Sequence, residues 1–131
     1  MMRLNKKKIL IVEDELKIRN VISMYLKREG YETFETDNGI DALSLAAEEK
    51  PGLIVLDIML PRLSGYDVCR ALKSNEDTKN IYIIFLSAKG QEWEKSEGYQ
   101  VGADYYETKP FSPKQLIDKI KSLLDSNNGA H

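Results

Sequence analysis

Thiol and imidazole are nearly missing from this chain. It has one cysteine, Cys69, and one histidine, His131, the last of 131 residues. A lone cysteine closes no disulfide within the chain and fits a reducing cytoplasm. One thiol and a terminal imidazole cannot furnish a four-ligand structural zinc site. Long apolar runs are absent too: none approaches the roughly 20 residues of a membrane helix. The opening Met1-Met2-Arg3-Leu4-Asn5 has no apolar secretory core. Cytoplasmic residence without membrane attachment is therefore expected. An excess of positive charge is also missing, since 19 basic residues face 21 acidic ones for a net charge of −2. That argues against direct nucleic-acid binding. No repeat, low-complexity segment or linker interrupts the chain. We expect one domain over residues 1–131, with its core at about 7–124 and a flexible tail over 125–131.

What is present is a set of short apolar strands. Leu53-Ile54-Val55-Leu56 ends on Asp57 and is preceded by the breaker pair Pro51-Gly52. A continuous apolar run of this length reads as a strand buried on both faces. Lys8 to Val12 is a second such strand, with Lys6, Lys7 and Lys8 as a solvated lead-in and Glu13-Asp14-Glu15 after it. Ile81 to Leu86 is a third and ends on Ser87. Tyr31 to Thr36 reads as a weaker edge strand, and Tyr105-Tyr106 begins a short one that reaches Lys109-Pro110.

Helical periodicity fills the gaps. Ile18, Val21, Ile22 and Tyr25 form one stripe, stopped by Gly30; Ile40, Leu43, Ala46 and Ala47 form another. Ser64 caps a third helix, with Val68, Ala71 and Leu72 inward and Cys69 as a small core residue. Gln91 to Val101 is a poor helix, with few apolar residues and an internal Gly98. The last helix is well specified: Ser112 as cap, Pro113 first, Gln115 closing a capping box, and Phe111 placed to staple onto Leu116. Its expected inward face is Leu116, Ile117, Ile120, Leu123 and Leu124. Five strands alternating with five helices mean an α/β fold. The sheet is parallel and doubly wound, with right-handed crossovers.

Four polar signals then fall at strand carboxyl ends: Glu13-Asp14, Asp57, Ser87 and Lys109. A parallel sheet gathers these ends along one rim, where such folds keep their ligands. Crowded carboxylates repel unless a cation compensates, and magnesium (or manganese) suits oxygen ligands. A cation, a lysine and a hydroxyl together meet the charge of a transferring phosphoryl group. One carboxylate stays free to attack, and Asp57 on the central strand is the candidate.

The motifs resemble the response-regulator receiver domain, similar to the stand-alone chemotaxis type. The matching stretches are Ile11 to Glu15, Val55 to Pro61, Leu63 to Tyr66, Leu86 to Lys89 and Gly102 to Phe111. The likeness covers about Lys7 to Leu124. It implies a flavodoxin-like sheet in the order 2-1-3-4-5. It implies that Asp57 accepts a phosphoryl group from a histidine kinase or histidine phosphotransfer protein. Magnesium would be held by Asp14, Asp57 and the Met59 backbone carbonyl, with Glu13 acting through water. Lys109, before a cis Pro110, and Ser87 would contact the phosphoryl group while Tyr106 turns inward. The Gln91–Val101 helix, the Tyr106 strand and the last helix would form the switching surface for a downstream partner or a covalent output domain. The chain would be a regulatory domain rather than an enzyme. Met59 and Lys89, beside the acceptor, would tune phosphoryl lifetime, and Trp93 would report the switch. The Tyr105-Tyr106 pair and Glu107 depart from more usual residues.

Three other functions could use this architecture. A flavin carrier of this shape wants an uncharged phosphate loop after the first strand, where Glu13-Asp14-Glu15 stands. An aspartyl-phosphate hydrolase wants nucleophile and acid two apart after one strand. A receiver-shaped module that is never phosphorylated would not need the full acid, hydroxyl and lysine set.

Overall fold

Apolar runs that alternate their side chains between two faces need a helical layer on each face. The computed structural model, described for residues 4–88 and 99–129 with side chains to Asp125, has that arrangement. The strands are β1 (Asn5–Val12), β2 (Glu32–Thr36), β3 (Pro51–Asp57), β4 (Tyr82–Ser87) and β5 (Tyr105–Thr108). The four helices among the described residues are α1 (Leu16–Arg28), α2 (Gly39–Glu49), α3 (Gly65–Lys73) and α4 (Pro113–Gly129). All strand pairs are parallel, in the order β2-β1-β3-β4-β5. The expected helix from Gln91 to Val101 lies outside the described residues except for its end, as do Lys89 and Trp93.

Each inner strand divides its residues cleanly. Leu10, Ile54, Leu56, Ile83 and Phe85 face the layer of α2 and α3. Ile9, Ile11, Leu53, Val55, Ile84 and Leu86 face the layer of α1 and α4. Every residue of β3 is buried. Burying one Leu or Ile stabilises by roughly 1.5–3 kcal/mol, whereas an exposed ion pair such as Arg70–Asp67 contributes about 0–1. The two apolar layers therefore hold the frame, and surface charge decorates it.

Several local readings need correction. Lys6, Lys7 and Lys8 are part of β1, which starts at Asn5. Pro51-Gly52 does not merely precede β3 but opens it; proline is tolerated as a strand's first residue. A side chain at Gly52 would lie 2.9 Å from the Lys6 Cα, so glycine lets β1 and β3 close there. The break after α2 falls instead on Lys50, which adopts a left-handed conformation. In α1 the inward face is Ile22 and Leu26, and Val21 turns outward. In α2 it is Ala42 and Ala46, with Ile40 half exposed. In α3 Cys69 is inward as expected, but Ala71 is exposed. The last helix buries the expected Leu116, Ile117, Ile120 and Leu124 and continues to Gly129. No breaker stands between Leu124 and Gly129 to end it earlier.

Candidate functional site

The rim is built by three strand exits. β1 delivers Glu13 and Asp14, β3 delivers Asp57, and β5 is followed by Lys109. The Glu13 N–H donates to the Thr36 carbonyl of β2, and Arg19 Nη1 of α1 donates to the Glu13 carbonyl, 2.8 Å. These bonds turn the chain so that the Glu13 side chain runs inward, where it is fully buried. Its Oε2 accepts the Glu15 N–H, 3.0 Å. Its Oε1 lies 2.8 Å from Lys109 Nζ as an ion pair but receives no directed hydrogen bond.

Asp57 is 3% exposed, and Asp14 is open to solvent. One oxygen each from Glu13, Asp14 and Asp57 can come within 4.8 Å of the others. Asp57 divides its oxygens: Oδ1 accepts the Met59 N–H, 3.1 Å, and Oδ2 accepts from Lys109 Nζ, 3.3 Å. The Met59 backbone is thereby tied to Asp57, while its side chain is 63% exposed at the mouth. Lys109 is also 3.6 Å from Glu15 Oε1. Its backbone N–H donates to the Ser87 carbonyl, 2.6 Å, and its bond to Pro110 is cis. Ser87 is buried at the end of β4. Tyr106 is buried one strand over, paired in register with Phe85.

Charge is unbalanced here. Burial pushes the Glu13 carboxyl up to about 7; Lys109 and the Glu15 N–H oppose the rise, and the Asp57 charge adds to it. Burial alone would lower Lys109, but Glu13 and Asp57 outweigh it and hold its ammonium above the usual range. An all-oxygen donor set, in excess of the one lysine that meets it among the described residues, fits a small hard divalent cation.

Two contributors were not legible as such. Glu15 read only as part of an acidic run, yet it reaches Lys109. Gly65 read as a helix start, yet a Cβ there would sit 2.5 Å from the Asp57 carbonyl oxygen. That backbone has no room to yield, so α3 rests its first residue directly on the end of β3. The one sequence signal was a glycine next to a good cap.

A parallel 2-1-3-4-5 sheet with acids after β1 and β3 meeting a lysine after β5 defines a signalling receiver of two-component systems. The chain belongs to the response regulator receiver domain family, whose pattern matches residues 9–121. Among its relatives is the phosphate regulon transcriptional regulatory protein PhoB of Pseudomonas aeruginosa. The two are 48% identical over 118 residues, which is 90% of this chain and 52% of PhoB. The chain spans about half the length of the curated relatives it matches. A CheY-like receiver from Methanospirillum hungatei JF-1 superposes with a TM-score of 0.88 at 27% identity, covering 97% of this chain and 100% of that one. The receiver domain of the sensor kinase PA1611 from P. aeruginosa, with magnesium in its active-site cleft, matches at 0.85 and 29%, covering 93% and 100%. Among the described residues, no helix is long and apolar enough to cross a membrane.

Proposed function

We propose that this chain is a single phosphoacceptor domain that takes a phosphoryl group from a phosphohistidine onto Asp57. The observation that carries the reading is the meeting of Asp57 with Lys109, 3.3 Å apart, inside the cluster of Glu13 and Asp14. An Asp57 oxygen attacks phosphorus, the bond to the donor imidazole breaks, and that imidazole leaves with its own nitrogen lone pair. Asp14, Asp57 and the Met59 carbonyl would hold magnesium or manganese, with Glu13 acting through water. The ion would screen the carboxylates and the phosphoryl oxygens. Lys109 is already placed to follow the new charge, and the Ser87 hydroxyl would supply a neutral donor to it. Tyr106 would settle behind Ser87 as that hydroxyl moves.

The donor is a histidine kinase or phosphotransfer protein. An apolar recess lined by Ile18, Val21, Pro110 and Phe111 adjoins Lys109 and gives that donor a place to rest beside the acceptor. The read-out surface is β5, α4 and the segment before β5. It acts on a partner protein or on an output domain, as in the transcriptional regulators that the chain resembles over half their length. The setting is the cytoplasm.

The test is incubation with acetyl phosphate and magnesium, followed by intact-mass spectrometry. One phosphoryl group should add to the native chain and none to Asp57→Asn. An unchanged mass for the native chain, or equal labelling of the variant, would sink the reading.

A further inference from the structure

Three aromatic rings run in a line under the rim. Tyr66, in the first turn of α3, meets Phe85 of β4 edge to face, with centroids 5.4 Å apart and planes at 75°. Phe85 meets Tyr106 of β5 in the same manner at 6.4 Å and 67°. Phe85 is fully buried and stands two residues before Ser87 on the same face of β4. Tyr66 follows Gly65, the residue pressed onto the Asp57 backbone, and the Gly65 N–H donates to the Ile58 carbonyl, 2.9 Å. Asp57 is therefore connected to Tyr106 beneath the rim, through Gly65, Tyr66 and Phe85. This path is separate from the Ser87 route that the proposed function assigns.

We propose that Tyr66 is a positioning residue for the Tyr106 switch, acting through Phe85. This rests on the receiver reading above and adds a second connection to it. Edge-to-face contacts are directional, so each ring fixes the tilt of the next. Phe85 cannot rotate away, being packed on all sides. A displacement of the first turn of α3 thus reaches Tyr106 without passing through Ser87. By linkage, anything that binds that turn biases Tyr106, and Tyr106 biases it in return.

The experiment is residue-resolved amide exchange on the full chain without phosphodonor, reading β5 against β1 as internal reference. Tyr66→Leu removes the first ring and keeps an apolar side chain. Tyr66→Phe restores the ring. Val68→Ala hollows the same helix on the side where it meets Gly39 of α2 and removes no ring. We expect β5 exchange, relative to β1, to rise about five- to tenfold in Tyr66→Leu, the size of one edge-to-face pair. It should return to the native ratio in Tyr66→Phe and stay there in Val68→Ala. Equal ratios in Tyr66→Leu and Val68→Ala, or no recovery in Tyr66→Phe, would overturn the proposal. A second arm adds beryllofluoride and magnesium and follows the amides of Asp57 and Met59. Their failure to respond would count against the receiver reading alone, because the first arm is read on the unmodified chain.

Discussion

Both ends of the sheet tie a lysine to an aspartate, and the two ties behave differently. At the amino end of β4, Lys73 Nζ donates to the carbonyls of Ile81 and Lys79, at 2.9 and 3.1 Å, and lies 3.6 Å from Asp104. Asp104 in turn accepts the Ile83 N–H, 2.8 Å. Charge is balanced there, and the backbone absorbs the remainder. At the carboxyl end, Lys109 faces Glu13, Glu15 and Asp57, with Asp14 beside them. Among the described residues one lysine meets four acids there, and burial, helped by the Asp57 charge, raises Glu13. The same two residue types build a brace at one end and an acid-rich rim at the other. What separates them is the ratio of carboxylates to cations.

The sharpest way to break the comparison is to exchange one acid at each end. Asp57→Asn should abolish labelling by acetyl phosphate, read by intact mass, with the fold retained. Next comes Lys109→Met, which removes the cation that pairs with Glu13, Glu15 and Asp57. Losing one preplaced charge at a reacting centre costs about 10²–10³ in rate, so labelling kinetics should fall by that order.

Glu13→Gln tests the imbalance through pH. The folded pKa of Glu13 lies near 7, above its unfolded value of 4.5. Between those values the native chain holds a proton that the unfolded chain has released. Stability of the metal-free protein should therefore fall as pH rises from about 4.5 to 7, with the loss complete above 7. Such a shift corresponds to roughly 3 kcal/mol at most. Glu13→Gln should flatten that slope in urea melts at pH 5 and pH 8. Magnesium titrations of the native chain should also show weaker binding at pH 5.5 than at pH 8, because the proton competes for Glu13.

The mildest change is predicted at the brace. Asp104→Ala leaves the Ile83 N–H without its carboxylate and should cost about 1–3 kcal/mol in a urea melt. Labelling of Asp57 should stay at the native level. A large loss of labelling there would show that the two ends are not separate.

These contrasts also mark how far the sequence could be read. Strands were legible because runs such as Leu53 to Leu56 are buried on both faces and announce it by composition. The meeting of Asp14, Asp57 and Lys109 on one rim was legible because they stand at or just past the ends of strands that a parallel sheet must align. Helix faces were less so. Ile40 looks like a core residue beside Ala42, but the short alanines are what allow α2 to approach the sheet, and Ile40 is left outside. The depth of Glu13 and the seating of Gly65 depend on elements distant in the chain, so no local pattern could show them.

The complete enclosure of β3 has a consequence for descent. A strand with no exposed residue tolerates little drift, and it carries Asp57 on its last position. The exposed residues lie on loops, outer helix faces, β2 and the start of β1, which are free to diverge. Duplicated copies of such a chain can therefore acquire separate partners and avoid crosstalk while keeping the same chemistry at the centre.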